Sequence, residues 1–291
     1  MNSKIKLYNH CHNRYLWLLS IFTLIIILSF NISESFASSI DKFASDNEND
    51  GKKILAVFAH PDDETTVGPM LAKYEREGMD VTLVIATDGR YGVTEWSGFS
   101  AGDELAAARR GEMQCAADAL GANLYHLTYE DQFKAAEGFD GFIAQSRGFL
   151  DDLHEIMEEV QPDVVITFGP DGFSNHIDHR IAGVTTTQVV LSKDWDKKPA
   201  LFYSGTPTSF SGDNWKYQGT ADQYLTMRVP YEEEDLMRAK ESALCHATQF
   251  QPEFVEMWLG RMQERGNIIY LRPFEAPKHS SDDLFSYPNQ Y

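Results

Sequence analysis

The 291-residue sequence predicts an α/β fold, a Rossmann-like parallel sheet flanked by helices. Three observations carry this expectation. Apolar runs of strand length, Ile54-Leu-Ala-Val-Phe-Ala59 and Val81-Thr-Leu-Val-Ile-Ala86 among them, lack the alternation of a half-exposed strand, as strands covered on both faces do. Stretches of helix length and composition separate these runs. The alternation then repeats along the chain at the spacing of strand–helix–strand units, which favour a doubly wound parallel sheet.

Taken in order, Lys4, Lys6 and Arg14 precede an apolar run from Leu16 to Phe30, and Ser35-Phe-Ala37 supplies small residues behind it. Residues 1–37 therefore read as a cleaved secretory signal peptide, with an uncleaved signal anchor as the alternative. Residues 38–51 are polar and acidic, a flexible linker by composition. The folded domain is expected over 52–275, and a C-terminal tail over 276–291. Within the domain the pattern predicts a strand over 54–59, a helix over 65–77 stopped by Gly78, and a strand over 81–86. A helix over 103–120 closed by Gly121, a short strand over 124–127 and an amphipathic helix over 141–160 with Pro162 behind it come next. A buried strand over 163–168, a helix over 179–191 and a strand over 201–204 follow. Residues 205–219, rich in Ser, Thr, Gly and Asp, read as a long loop, and two further helices are expected over 232–248 and 252–265.

The formal net charge of −19 repels phosphate backbones and anionic headgroups, which excludes nucleic acid as a partner and leaves neutral polar ligands such as sugars open. No Gly-x-Gly-x-x-Gly follows the first strand, so a dinucleotide site is not expected either. Behind the leader stand two cysteines, Cys115 and Cys245, which form either a disulfide in an exported chain or two free thiols.

In open parallel sheets ligands bind outside the carboxyl ends of the strands, and two unusual polar stretches leave the sheet at that edge. The first is His60-Pro-Asp-Asp63-Glu64, which crowds three carboxylates and an imidazole onto one turn. That crowding is costly unless a cation offsets it. Alone, the motif also reads as a solvated acidic cap for the next helix. The second is His176-Ile-Asp-His179, which alone also reads as a helix start capped by Asn175 or Asp178. Together the two supply the three ligands and open position of a catalytic zinc. His154-Glu155 lacks the second histidine of a zincin motif and reads as a solvated helix face; His126 reads as a strand residue.

Ala59-His60-Pro-Asp-Asp63-Glu64 after a strand, with the later His176-x-Asp-His179, resembles the PIG-L/LmbE-like family of zinc-dependent N-acetylglucosaminyl deacetylases. Thr87-x-Gly89, Arg109-x-x-Glu112 and Lys240-x-x-Ala-Leu-x-His246-x-x-Gln249 match as well, so the resemblance spans about residues 53–270. It implies an LmbE-like deacetylase fold with zinc held by His60, Asp63 and His179, although two histidines and a carboxylate suit Fe2+ as well. It implies Asp62 as the general base that activates a water bound to the metal. His176 then stabilises the oxyanion or protonates the leaving amine, and Asp178 orients His176 and favours its charged form. Arg109 resembles the family's sugar-contacting arginine, with its neighbour Arg110 competing. Ile177 stands where the family usually has Pro, and Tyr129-Glu-Asp-Gln132 departs from its substrate-side loop.

The function implied is deacetylation of an N-acetylglucosamine-type amino sugar or glycoconjugate. A metal-dependent amidase acting on a non-sugar amide, and a carbohydrate-binding protein without catalysis, are the competing readings. The expected partner is a small-molecule or glycoconjugate amino sugar, with no nucleic acid and no stable membrane association after signal cleavage. The expected location is secreted or periplasmic, with a signal-anchored chain as the alternative.

Overall fold

The computed structural model describes residues 51–214, 218–274 and Asp282. The expected signal peptide, the linker up to Asp50 and the tail over 276–291 apart from Asp282 lie outside the described residues. Five parallel strands form the centre of the fold: β1 (Lys53–Phe58), β2 (Asp80–Thr87), β3 (Asn123–Tyr129), β4 (Val164–Phe168) and β5 (Ala200–Ser204). The expected loop over 205–219 holds two short paired strands, β6 (Thr206–Pro207) and β7 (Gly219–Thr220). Beyond it, β8 (Met227–Pro230) and β9 (Ile268–Pro273) extend the main sheet antiparallel, in the order β3-β2-β1-β4-β5-β9-β8. The sheet is thus mostly parallel, and its order reverses between β1 and β4.

The alternation of side chains along β1 divides the core. Ile54, Ala56 and Phe58 face helices α1 (Gly68–Arg76), α2 (Asp103–Leu120), α5 (Glu233–Cys245) and α6 (Pro252–Glu264). Leu55 and Val57 face α3 (Phe139–Val160) and α4 (Ile177–Leu191). Each fully buried side chain of this size contributes about 1.5–3 kcal/mol over its exposed state. Both faces of the strands are consumed, which is why the apolar runs show no alternation.

Three helix boundaries differ from expectation for identifiable reasons. The helix expected over 65–77 splits into a 3-10 turn, Asp63–Thr66, and α1, because Pro69 has no N–H to give the Thr65 carbonyl. Helix α4 begins at Ile177, with His176 itself as its cap instead of Asn175 or Asp178. Helix α5 stops at Cys245, short of the expected 248, where the chain turns His246 into the interior. Cys115 on α2 and Cys245 at the end of α5 are joined by a disulfide across 130 residues, which decides between the two states expected of them.

Candidate metal centre

The chain leaves β1 in a tight turn in which the Asp63 N–H donates to the His60 carbonyl at 3.2 Å. Asp63 Oδ2 accepts the N–H groups of Ala59 and His60 at 3.1 and 2.8 Å, which fixes the carboxylate beneath the turn. Asp62 is thrown outward with φ of 110°, a region that side chains other than glycine rarely enter. Two buried groups hold it there. The Asp62 N–H donates to Glu64 Oε2 at 3.0 Å, while Glu64 Oε1 meets His246 Nε2 at 2.7 Å. From the other side, Arg109 donates to the Pro61 carbonyl, to Asp62 Oδ2 at 3.1 Å and to the Gly89 carbonyl at 2.8 Å. A Cβ at Gly89 or Gly92 would lie 2.5 or 2.3 Å from the Arg109 guanidinium, so those glycines make room for it.

The loop after β4 brings in the second motif. His176 Nδ1 accepts the Asp178 N–H at 3.2 Å, so the proton of the neutral ring sits on Nε2. His179 Nδ1 faces the Gly172 carbonyl and Ser174 Oγ, each at 3.1 Å, and Phe168 stacks on its ring. An Nδ1–H donated to that carbonyl leaves Nε2 with its lone pair directed inward.

Two wider groups of side chains converge here, His60 with His176 and His179, and His60 with Asp131 and Asp178. Their hydrogen bonds separate those that are occupied from those that are free. Asp131 accepts Thr87 Oγ1–H and the Gly89 N–H on Oδ1 at 2.7 and 3.0 Å, and the Tyr91 N–H on Oδ2 at 2.8 Å. Asp178 Oδ2 accepts from His60 Nε2 at 3.0 Å and from the Gln132 N–H at 2.9 Å. Beside these groups, His179 Nε2 stands 3.1 Å from Asp63 Oδ1 and 3.2 Å from His60 Nδ1, and His60 Nδ1 stands 3.4 Å from Asp63 Oδ2, the oxygen that accepts the two backbone N–H groups. Ligand atoms at 2.0–2.1 Å around zinc stand about 3.3–3.4 Å apart, close to the spacing that His179 Nε2 keeps from His60 Nδ1 and from Asp63 Oδ1.

The electrostatics of the cluster follow from this geometry. Burial pulls the His60 imidazole down, but the carboxylates of Asp178 and Asp63 outweigh it and raise the group to about 10. Burial likewise opposes ionisation of Asp63, yet the charges and hydrogen bonds of His179 and His60 hold it well below the usual carboxylate range. Asp62 moves the other way, raised to about 6 by burial against the pull of Arg109. Three carboxylates surrounding one imidazole thus hold positive charge at the position a divalent cation would take.

Most of the expected site residues come together. His60, Asp62, Asp63, Arg109, His176, Asp178 and His179 line one open cleft of about 310 Å3. The contacts of Asp178 and of the two arginines add detail to this arrangement. Asp178 hydrogen-bonds His60, while His176 Nδ1 stands 4.0 Å from its carboxylate; burial and the charges of His60 and His179 lower His176 in place of the rise expected from Asp178. Arg109 is 3% exposed, lines the cleft and hydrogen-bonds Asp62 and the carbonyls of Pro61 and Gly89; Arg110 faces solvent. Sequence reasoning missed Asp131, whose hydrogen bonds reach 40 to 44 residues back along the chain to pin the loop after β2. It gave no role to Gln249, which lines the cleft and donates to the Gly92 carbonyl at 2.8 Å.

The PIG-L family, described as GlcNAc-PI de-N-acetylase, matches residues 55–190. A 1D-myo-inositol 2-acetamido-2-deoxy-alpha-D-glucopyranoside deacetylase of Saccharomonospora viridis is 33% identical over 201 residues, covering 62% of this chain and 72% of the relative. A protein of the same description from Mycolicibacterium vanbaalenii is 32% identical over 172 residues, covering 54% of this chain and 60% of the relative. Against the first curated relatives the chain spans between 51% and 60% of their length. In fold it is similar to the N,N'-diacetylchitobiose deacetylase of Pyrococcus horikoshii, with a TM-score of 0.56, 24% identity and coverage of 84% of this chain and 91% of that one. By sequence match, fold and the placement of its two histidine motifs, the chain belongs to the PIG-L family.

Proposed function

We propose that the chain is a metal-dependent N-deacetylase acting on an N-acetylglucosamine-type amino sugar or a glycoconjugate that contains one. The observation that carries the reading is His179 Nε2 at 3.1 Å from Asp63 Oδ1 and 3.2 Å from His60 Nδ1, with the Asp62 carboxylate lining the same cleft. The relatives support the substrate class, since each is a deacetylase of an amino sugar. A divalent cation held there, zinc or ferrous iron, supplies Lewis acidity toward an amide carbonyl and acidifies water.

The residues around that position divide the proton transfers. Asp62, directed into the cleft and braced by Arg109 and Glu64, takes one proton from the water that attacks the acetyl carbon. His176, exposed at the rim with its proton on Nε2, hydrogen-bonds the developing oxyanion, and the proton that Asp62 took from the water passes to the amide nitrogen as the C–N bond breaks. Acetate and the free amine leave. Asp178 keeps His60 oriented, and Asp131 keeps the loop after β2 closed against the cleft.

We further infer that the chain is exported, as a secreted or periplasmic protein with its signal peptide removed. The basic and then apolar start of the sequence supports this, as does the Cys115–Cys245 disulfide, which persists in oxidising compartments. The test of the activity is acetate release from N-acetylglucosamine derivatives by the purified chain, before and after chelation and with Zn2+ or Fe2+ restored. Acetate release that a chelator abolishes and one of these ions restores is expected. No release from any derivative in the presence of either ion would refute the reading.

A further inference from the structure

A second cavity, of about 350 Å3, opens beside the catalytic turn and takes no part in the chemistry described above. It adjoins the metal centre through Thr66, whose hydroxyl donates to the Asp63 carbonyl at 2.8 Å. Phe173, from the loop that carries His176 and His179, forms part of the same wall. Thr66 lies three residues beyond Asp63 in a 3-10 turn, about 6 Å along its axis, which is within reach of a group attached to a sugar in the cleft.

The lining of this cavity is unlike the rest of the molecule. Phe210, Trp258 and Tyr270 present rings to it, and Arg261 and Arg265 stand one helical turn apart on α6 and its end. In a chain with 44 acidic residues against 25 basic ones, neither guanidinium has a carboxylate within 4.0 Å among the described residues, and no carboxylate of those residues lines the cavity. Arg265 lies over the Phe210 ring at 5.4 Å and donates to the Phe210 carbonyl at 3.5 Å, which leaves most of its N–H groups unengaged. Ser204, at the end of β5 and 7% exposed, also lines the cavity, and its Oγ has no hydrogen-bond partner. Burial and the charge of Arg261 both disfavour the charged form of Arg265. The chain thus holds two like charges together with no carboxylate of the described residues within 4.0 Å of either, and Tyr231, Tyr270 and Glu264 offset the charge of Arg265 only in part.

We propose that this cavity binds an oxyanion, a carboxylate or a phosphate, carried on a ring-bearing group attached to the amino sugar. The guanidinium forks meet the oxyanion in the bidentate manner that arginine favours, and the aromatic rings stack on the ring beside it. The volume is that of a small-molecule site. The proposal rests on the deacetylase reading only for the identity of the attached sugar.

The test is calorimetric binding of three probes to the full chain: phenyl N-acetyl-β-glucosaminide, its 4-carboxy derivative and its 4-phosphate derivative. Benzoate and phenyl phosphate, which carry no acetamide, form a second series. The anionic glycosides are expected to bind at least about ten-fold more tightly than the neutral one, and the two anionic arms show which oxyanion is preferred. An Arg261→Met/Arg265→Met variant should lose that advantage while binding the neutral glycoside unchanged. Because Arg265 is half buried, Arg261→Glu serves as the second variant: it changes an exposed side chain and should also abolish the preference. Equal affinity for neutral and anionic glycosides, or a preference that survives both variants, would overturn the proposal. Arginine-dependent binding of benzoate or phenyl phosphate by a chain that releases no acetate would uphold this cavity and refute the deacetylase reading. Acetate release without any arginine-dependent preference would do the reverse.

Discussion

Asp62 occupies a backbone conformation that costs about 1–3 kcal/mol, and its neighbours hold it there on both sides, through its own N–H and through its carboxylate. Arg109 engages Oδ2 of a carboxylate that lines the cleft, an arrangement suited to a proton acceptor more than to a ligand. Asp62→Asn keeps the shape and removes the basicity. The variant is expected to retain its metal, measured by elemental analysis, and to lose about 10²–10⁴-fold in kcat. A variant that hydrolyses at the wild-type rate would remove Asp62 from the mechanism. Asp178 makes a different prediction, because its partner is His60. Asp178→Asn should weaken metal affinity about 10–100-fold, read by chelator competition, since it loosens the ring that presents Nδ1. Had Asp178 served His176 alone, kcat would fall with metal affinity unchanged. This contrast was closed to sequence reasoning: Asp178 and His176 are neighbours in the motif, whereas His60 is 118 residues away.

At the scale of elements, the end of α5 and the turn after β1 are welded by His246 and Glu64, both fully buried and 2.7 Å apart. Burial pulls His246 down, but the charge and hydrogen bond of Glu64 outweigh it and raise the imidazole above its ordinary 6.5. A group raised on folding contributes stability that is complete below its unfolded value and is lost as pH climbs through its folded value. The wild-type chain should therefore lose unfolding free energy above about pH 6.5 relative to a Glu64→Gln/His246→Gln variant, in urea titrations across pH 5.5 to 9. Parallel pH profiles would mean that the pair is not charged in the folded state. Removing Glu64 or His246 alone should cost more than removing both, about 3–5 kcal/mol, because one charged or polar partner is left buried. Position 246 shares the buried face of α5 with Ala239 and Ala243, so burial of the imidazole was legible, whereas its partner Glu64, 182 residues away, was not.

Across the whole molecule, what could be read from sequence was what burial dictates locally. Ile54 to Phe58 and Val81 to Ala86 are apolar on both faces because helices cover both faces, so the parallel core was legible. β8 and β9 were not, because Ile268–Pro273 mixes apolar, polar and proline residues in the antiparallel part of the sheet, where four of its six side chains are only partly buried. The two histidine motifs were legible because each is short and stands at a strand end; Asp131 was not, because it acts through backbone N–H groups that carry no residue identity. The disulfide lies between these cases, with both cysteines visible and their pairing set by tertiary packing alone. It joins α2, which carries Arg109, to α5, which delivers His246, and so closes a loop containing most of the domain and its second motif. A crosslink over 130 residues removes denatured-state entropy worth about 5 kcal/mol at most, with about 2–4 kcal/mol usually realised. For a domain of this size that is roughly 5–15 °C in Tm. Because Cys115 is exposed on α2, reductant reaches the bond in the folded chain. Thermal scans should therefore show a similar fall in Tm for the reduced wild type and for Cys115→Ser/Cys245→Ser. A fall confined to the double variant would trace the loss to packing around the serines and assign the bond itself no share in stability.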